Sequence, residues 1–153
     1  MDELLEPLLR LGAAVLAGSL IGVNRDLHGK PTGVRLHSLV GLGSALFVML
    51  AGRYGRGEFD VAAVSRIVQG IVGGIGFLGA GVILRSSSGD RIQHITTAAT
   101  IWVTAALGTA CGLGAWQLAL TSSLLVLVIL TGGFVLDRKL YRRVDDADVD
   151  GPT

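Results

Sequence analysis

Runs of residues without a charge recur along the chain, and they predict helices that cross a membrane. A helix needs roughly 20 predominantly apolar residues to cross a bilayer core about 30 Å thick. The candidate runs are 11–23, 36–52, 67–84 and 95–136. The first run is the shortest, so its helix must extend back over Leu8 and Arg10 to cross. On such a helix Glu6 lies one turn before Arg10, and the two are expected to pair.

The run 95–136 is about twice as long as one span requires, so it is expected to fold back on itself. Its best turn lies at 111–116, where Gly112 and Gly114 free the backbone and Trp116 suits the membrane interface. The pattern therefore predicts an all-α, polytopic membrane protein with about five transmembrane helices. Four spans preceded by an interfacial first helix are the alternative.

The division of the chain follows from the same pattern. Residues 1–136 are predicted to form one transmembrane helical domain. Residues 137–153 are predicted to form a short polar cytoplasmic tail, which carries charges without apolar periodicity. Such a segment is expected to be solvated and disordered.

Composition supports this class of protein. The chain has 153 residues, of which 50% are hydrophobic and 16% charged. A soluble domain carries about 25% charged residues, so a solvated surface is excluded and the lipid bilayer is the expected surrounding. The formal net charge of +1 provides no basic field, so no nucleic-acid partner is expected.

Residue types that carry catalysis or metal binding are sparse. The single cysteine, Cys111, excludes an intrachain disulfide, and three scattered histidines give only a weak metal signal. Residues 74–79 match the dinucleotide pattern Gly-x-Gly-x-x-Gly, but they lie within an uncharged run rather than between a strand and a helix. We therefore expect no catalytic residue, no metal site and no cofactor.

Glycine is the most unusual component of the third run. Helices in lipid associate where small residues four apart let two backbones approach closely, and 70–81 reads GIVGGIGFLGAG. This helix is therefore predicted to be central, with neighbours on more than one side. Its expected packing residues are Gly70, Gly73, Gly74, Gly76, Gly79 and Gly81. The alternative is a distorted helix whose carbonyl groups line a site.

The distribution of lysine and arginine predicts the orientation, because short cytoplasmic loops carry the excess of these residues. With the N-terminus outside, the cytoplasmic set is Arg25, Lys30, Arg35, Arg85, Arg91, Arg138, Lys139, Arg142 and Arg143. The smaller outer set is Arg10, Arg53, Arg56 and Arg66. The chain is thus predicted to lie in a bacterial inner membrane with its N-terminus outside and its C-terminus in the cytoplasm.

Polar residues that are costly in a membrane gather at the predicted cytoplasmic helix ends. They are Asn24, Arg25, Asp26, Arg35, His37, Thr96 and Thr97. Asp26, the only carboxylate among them, is expected to pair with Arg25 or Arg35. Thr96 and Thr97 are expected to cap the fourth helix, whose first N–H groups favour anions. The group predicts a polar core or an anion-friendly ligand site.

Arginines at cytoplasmic helix ends also arise without any ligand, because long cationic side chains reach the membrane surface. This explanation suits Lys30, Arg85 and Arg91. Arg35 and His37 lie two residues apart at a helix start and diverge around it, so one of them should face the protein. For these two, a functional role and structural pairing remain equal alternatives.

Five motifs resemble the membrane domain of the MgtC/SapB family. They are LRL at 9–11, IGVNRD at 21–26, GVRLH at 33–37, FLGAGVI at 77–83 and TTAATIW at 96–102. The resemblance implies a multi-pass inner-membrane protein without an established catalytic activity. It also implies a link to low magnesium, to intracellular virulence and to modulation of the F-type ATP synthase. Two departures are Asn24, where the family usually has glutamate, and His94-Ile95 before the threonines, where the family commonly has glycine-leucine.

Two hypotheses for function follow. The first is a non-enzymatic regulator that packs against another membrane protein, with the F-type ATP synthase as the partner that the resemblance suggests. The second is a small ion transporter or channel, formed by a homo-oligomer, for a phosphate-like anion or for magnesium. Magnesium prefers octahedral oxygen sites, whereas the membrane zone offers one carboxylate, Asp26.

Overall fold

The structure is a computed structural model that describes residues 2–53, 61–84 and 94–149. In these ranges the chain forms helices and no strand. The helices are α1 (Asp2–Leu27), α2 (Val34–Arg53), α3 (Val61–Leu84), α4 (Ile95–Gly112) and α5 (Trp116–Val149). All five are long and apolar enough to cross a membrane. The predicted all-α membrane fold with five spans is confirmed, and α1 extends back over Arg10 as its short apolar run required.

The predicted turn between the fourth and fifth spans is also confirmed. α4 ends at Gly112 and α5 begins at Trp116. Between them Gly114 has a φ of 82°, a left-handed conformation that glycine adopts without the steric penalty of a side chain. The Gly114 and Ala115 N–H groups donate to carbonyls of the last turn of α4, so the turn closes that helix.

α5 is longer than its membrane-spanning window, which ends at Phe134. It continues to Val149, past position 136 where the transmembrane domain was expected to end. Residues 137–149 contain neither glycine nor proline, the two residues that most strongly oppose a helix. Residues 137–149 of the predicted tail therefore continue the helix. Positions 150–153, like the basic positions Arg56, Arg85 and Arg91, lie outside the described residues.

α4, rather than α3, is the centre of the bundle. α4 contacts α1, α2, α3 and α5, and half of its spanning window is buried, against 6% of that of α3. The predicted central position of α3 is therefore wrong. α3 packs on α4 mainly through Ile75, which joins Ile101 and Ala105 in one buried cluster.

The glycines of α3 explain the difference, because all but one of them have open space where a side chain would begin. A Cβ at Gly79 would lie 3.5 Å from the Ala98 side chain on α4. At the others a Cβ would meet no described heavy atom within 4 Å: Gly70, Gly73, Gly74, Gly76 and Gly81. The density of glycine along the chain therefore identified a helix rich in small residues, but it did not show which helices pack against them.

Close helix approach occurs instead among α1, α2 and α4. A Cβ at Gly41 would lie 2.7 Å from the Ala14 carbonyl oxygen, and one at Gly112 would lie 2.6 Å from that of Ala45. At Gly108 a Cβ would overlap the backbone of Gly41. Because Gly41 has a neighbouring backbone on two sides, α2 is held tightly between the other two helices.

Arg10 joins α1 to the end of α4, opposite the polar residues. Its Nη1 donates to the Gly112 carbonyl oxygen at 2.8 Å, and its Nη2 pairs with Glu6 as predicted. The last carbonyls of a helix carry partial negative charge, so a cation there is stabilising.

We expect Arg10→Leu to lower the free energy of unfolding by about 1–2 kcal/mol, because the Gly112 carbonyl loses a charged donor. Glu6→Gln is the control: its exposed ion pair contributes less than about 0.5 kcal/mol. Denaturation by sodium dodecyl sulfate, followed by circular dichroism, measures both. Equal effects of the two substitutions would contradict the role given to the Gly112 contact.

Candidate functional site

Polar side chains meet at the end of the bundle where α1 ends and where α2 and α4 begin; we call this the polar end. Four of these side chains are buried and hydrogen-bonded, and they form the polar core. The polar core consists of Arg25 on α1, His37 on α2, and Thr97 and Thr100 on α4. It therefore connects the three helices that also make the closest backbone contacts.

Arg25 joins α1 to the first turn of α4. Its side chain is only 5% exposed, and its Nη2 donates to the hydroxyl of Thr97 at 2.7 Å. Thr97 is the third residue of α4, so the guanidinium lies beside the N-terminal end of that helix. A charge-assisted hydrogen bond of this length is among the stronger polar contacts in proteins.

His37 joins α2 to the same face of α4. Its ring is fully buried, with Nδ1 3.0 Å from the Gly33 carbonyl oxygen and Nε2 3.2 Å from the Thr100 hydroxyl oxygen. Because a carbonyl only accepts, Nδ1 carries a proton. The Thr100 hydroxyl also lies 2.7 Å from the Thr97 carbonyl oxygen. Since it has one proton, Thr100 donates either to that carbonyl or to His37 Nε2.

Asp26 has a different partner from the predicted one. Its Oδ2 accepts from the backbone N–H of Val34, the first residue of α2, at 3.1 Å. Among the residues that the structure describes, neither Arg25 nor Arg35 lies within ion-pair distance of it. Neighbouring residues on a helix diverge by about 100°, so Asp26 faces the exposed start of α2 while Arg25 faces α4. The partial positive charge at the N-terminal end of α2 also stabilises a carboxylate at that position.

The remaining predicted residues lie outside the polar core. Arg35 and Thr96 are exposed, and since His37 is buried, the expectation that one of Arg35 and His37 faces the protein is confirmed. Asn24 Nδ2 donates to the Thr131 hydroxyl on α5 at 3.4 Å. The expected threonine cap is absent from the described start of α4, where His94 takes the cap position without a side-chain hydrogen bond.

Thr97, Thr100 and Thr104 are buried along one face of α4, and the sequence singled out only the first of them. Thr100 contacts His37, and Thr104 is fully buried with its hydroxyl donating to the Thr100 carbonyl at 2.8 Å. The signal was present, because Thr97, Thr100 and Thr104 are spaced three and four apart and therefore share one helix face. A second missed contact joins Ser19 of α1 to Ser38 of α2, with hydroxyl oxygens 2.9 Å apart.

Two buried polar atoms have no partner among the described residues. They are Nε of Arg25 and the hydroxyl oxygen of Thr32, which lies in the connection between α1 and α2. Buried polar atoms are normally hydrogen-bonded, so each exception needs an explanation. Across the described ranges there is also no group of three or more His, Cys, Asp or Glu residues that could hold a metal ion.

Two cavities border these elements. One, of about 700 Å³, lies between the start of α2, the end of α3 and His94, and its wall is mostly apolar, with Leu36, Phe77, Leu78 and Val82 beside Thr32. The other, of about 680 Å³, is an apolar groove between α2 and α3 that we call the α2–α3 groove. Its wall includes two exposed glycines of α3 and one charged side chain, that of Arg66. Leu36 and Leu78 line both cavities, so the two adjoin each other along α2 and α3.

Comparison with known proteins identifies the family. The model of the MgtC family matches residues 11–139. Protein SrpB of Synechococcus elongatus is 46% identical over 143 residues, covering 88% of this chain and 78% of SrpB. The putative magnesium transporter YhiD of Escherichia coli is 42% identical over 82% of this chain and 59% of its own length.

Protein MgtC of Salmonella typhimurium is 39% identical over 120 residues, covering 78% of this chain. The chain spans 49% of the length of that protein. No solved structure matches the chain. The family match and these relatives agree with the five motifs found in the sequence. The chain belongs to the MgtC family and is a multi-pass membrane protein of that family.

Proposed function

We propose that this protein is a non-enzymatic regulator of the bacterial inner membrane that acts by packing against a helix of another membrane protein. Gly70 and Gly74 of α3 carry the proposal, because both line the α2–α3 groove and a Cβ added at either would meet no described heavy atom within 4 Å. Each glycine within a helix costs about 1 kcal/mol relative to alanine in water. Within lipid, small residues are favourable where a second helix approaches closely. A partner helix in the α2–α3 groove would make that contact.

Arg66 supports a partner with a particular charge. It lies on the second turn of α3, is exposed, and lines the α2–α3 groove. A charged side chain within a span either reaches the membrane surface or pairs with an opposite charge. We therefore propose that the partner helix carries small residues along its face and a carboxylate at the level of Arg66.

The physiological setting is proposed from the family. Membership suggests a role in adaptation to low magnesium or to intracellular stress, and resemblance suggests the F-type ATP synthase as the partner. The distribution of lysine and arginine favours an N-terminus outside and a C-terminus in the cytoplasm. In that orientation the polar end faces the cytoplasm and Arg66 lies near the outer surface.

Magnesium transport is the second candidate, and it rests on the relative YhiD, which is named a putative magnesium transporter. Flux of magnesium into proteoliposomes that contain the purified protein distinguishes the candidates. Flux above that of empty liposomes, saturating with magnesium concentration, would favour a transporter. The regulator that we propose gives no flux in this assay, although it supports growth of cells at low magnesium.

We expect Arg66→Ala to reduce complementation of a strain that lacks its MgtC-family protein, grown at low magnesium, by at least about tenfold in viable cells. The loss of one charge pair within lipid, about 1–2 kcal/mol, corresponds to roughly tenfold in partner affinity. Arg66→Lys is the control, since it keeps the charge and should retain most of the growth. Full growth with Arg66→Ala, at equal protein level in the membrane, would contradict a charge-paired partner.

A further inference from the structure

We propose that a phospholipid with a zwitterionic headgroup of the phosphatidylethanolamine type binds between α1 and α5. One acyl chain would lie along a cavity of about 620 Å³ that we call the α1–α5 groove, with the headgroup beside Glu6 and Arg10. The proposed function concerns the α2–α3 groove. The two are separate surfaces, because no residue lines both.

The α1–α5 groove has a floor of small residues and a rim of large ones. Ala17, Cys111 and Ala119 form the floor, and all three are nearly fully buried members of one cluster that joins α1, α4 and α5. The rim consists of large apolar side chains that are 48–67% exposed: Leu9, Leu16, Leu20, Trp116 and Leu120. The groove is therefore about as deep as these side chains are long.

The length of the α1–α5 groove matches one leaflet of a bilayer. Its wall follows α1 from Glu6 to Leu20, which at the helical rise of 1.5 Å per residue is about 21 Å. One half of the hydrocarbon core is about 15 Å thick. An acyl chain that begins at the membrane surface can therefore stay in the groove through its whole leaflet.

The mouth of the α1–α5 groove carries both signs of charge. Glu6 and Arg10 line it and pair with each other. Arg10 is held in position, because its Nη1 donates to the Gly112 carbonyl oxygen at 2.8 Å. Glu6 is exposed, and a carboxylate can accept from several donors at once. Trp116 lies at the same mouth as the first residue of α5, and tryptophan favours the level of the lipid headgroups.

This pair of charges selects the headgroup. Phosphatidylethanolamine carries a phosphate, which Arg10 attracts, and a primary ammonium, whose N–H groups can donate to Glu6. The quaternary ammonium of phosphatidylcholine has no N–H to donate. Phosphatidylglycerol has a net negative charge, so Glu6 opposes the attraction that Arg10 provides. Acyl chains gain little by exchanging one apolar surroundings for another, so the preference among lipids must come from the headgroup.

The shape of the α1–α5 groove favours a lipid over a partner helix. Helices in lipid associate where small residues let two backbones approach closely, as Gly70 and Gly74 allow in the wall of the α2–α3 groove. In the α1–α5 groove the small residues lie at the floor, below a rim of leucines. A helix with its side chains is about 10–12 Å across, and the rim would hold it away from that floor. An acyl chain is narrow enough to lie between the rim residues.

Trp116 provides a reporter for this lipid. Trp102→Phe leaves Trp116 as the only tryptophan of the chain. The full-length protein is reconstituted into bilayers of phosphatidylcholine with phosphatidylethanolamine or phosphatidylglycerol, and one lipid of each pair carries bromine on its acyl chains near the headgroup. Bromine quenches tryptophan fluorescence on contact. We expect phosphatidylethanolamine to bind beside Trp116 about fivefold more tightly than phosphatidylcholine, an effect within the range of one exposed ion pair.

Trp102 is the matched control position. Trp116→Phe leaves Trp102 as the only tryptophan, and Trp102 is exposed to a similar extent, 49% against 55%. It lines neither the α1–α5 groove nor the α2–α3 groove. Its quenching should follow the proportion of brominated lipid in the bilayer. The same preference at both tryptophans would assign it to the lipid around the whole protein and overturn the proposal.

Glu6→Gln tests the headgroup contact. The substitution is at an exposed position and should leave the fold intact. Without the carboxylate, the preference for phosphatidylethanolamine over phosphatidylcholine should disappear, and phosphatidylglycerol should become the preferred lipid because Arg10 remains. Glu3→Gln is the control, since it removes another carboxylate from the same end of α1 and should behave like wild type. Equal effects of the two substitutions would assign the preference to the general charge of that end and contradict the site.

Ala13→Leu tests the seat of the acyl chain. Ala13 lines the α1–α5 groove and is half-buried, so a leucine there should displace the chain and reduce the fivefold preference to about one. Gly12→Leu is the control on the same helix, because Gly12 is exposed outside the groove and a Cβ there meets no described atom within 4 Å. Should Ala13→Leu not fold, the Glu6 comparison still decides the question.

The proposal is overturned if Trp116 shows no preference for phosphatidylethanolamine, or if the Glu6 and Ala13 variants keep it. Quenching of Trp116 below the proportion of brominated lipid, whichever lipid carries the bromine, would assign the α1–α5 groove to a second copy of this chain and also overturn it. Because Arg66 and the α2–α3 groove are intact in every variant, failure here leaves the proposed function standing.

Discussion

Replacement of Gly108 by alanine is expected to lower the free energy of unfolding by about 2–3 kcal/mol, as overpacking of a tight interface does. The new Cβ would overlap the backbone of Gly41 on α2. A backbone cannot move aside as a flexible side chain does, so α2 and α4 must separate. The separation also loosens the contact of Gly41 with Ala14 on α1. The gain in helix propensity, about 1 kcal/mol, offsets only part of this cost.

Gly74→Ala is the matched control for this prediction. Gly74 is also a glycine within a predicted span, but a Cβ there meets no described atom within 4 Å. The control should be neutral or stabilising by up to about 1 kcal/mol. Denaturation by sodium dodecyl sulfate, followed by circular dichroism, gives both free energies. Equal stabilities of the two variants would contradict the arrangement of α1, α2 and α4 described above.

The second large effect is expected on function rather than on stability. Gly74→Leu should abolish growth complementation at low magnesium, with a loss of at least about 100-fold in viable cells. A leucine side chain there would fill the α2–α3 groove and hold a partner helix away from the α3 backbone, and close approach is what drives association in lipid. The free energy of unfolding should change by less than about 0.5 kcal/mol, as for other open surface positions.

Gly132→Leu on α5 is the control for this effect. A Cβ at Gly132 likewise meets no described atom within 4 Å, so the two substitutions add the same bulk to exposed glycines within membrane spans. The control should support growth. An equal loss of growth from Gly132→Leu would assign the effect to insertion or lipid contact. Growth of the Gly74→Leu strain at the wild-type level would exclude the groove as the functional surface.

The helices themselves were predictable from the sequence for a simple physical reason. A span needs a long uncharged run, and a turn in lipid needs residues that tolerate it. These local requirements located all five helices and the turn at Gly114. They could not show that α5 continues as a helix to Val149, past its apolar window, because hydrophobicity indicates the surroundings of a helix and not where the helix ends.

Packing was less predictable, because glycines occur both on a helix face that packs closely against a neighbouring helix and on a face with open space beside it. α3 has more glycines than α4, yet Gly108 and Gly112 make the close contacts. Their four-residue spacing is the same as that of Gly70 and Gly74. Only the positions of the other helices decide which pair is buried.

For the polar residues, the end of the bundle where they lie was predictable, but their hydrogen-bond partners were not. Sequence placed Arg25, His37 and Thr97 at one end of the bundle, since topology determines where helix ends lie. Their partners depend on rotation of each helix about its axis, which pairs Arg25 with Thr97 although 72 positions separate them. A charge rule alone favoured Asp26 as the partner. The rotation of α1 instead directs Asp26 to the start of α2.

Site-specific photo-crosslinking in living cells tests most directly whether the α2–α3 groove binds another membrane protein. Leu78 lines the groove and is 41% exposed, so Leu78→p-benzoylphenylalanine introduces the probe without filling a buried space. Leu124 on α5, which is also exposed, provides the control position. We predict an adduct from position 78 with one membrane protein whose crosslinked helix carries small residues and a carboxylate. We predict that Gly74→Leu abolishes this adduct and that position 124 does not form it. No adduct from position 78, the same adduct from position 124, or an adduct only with a second copy of this chain would contradict the account.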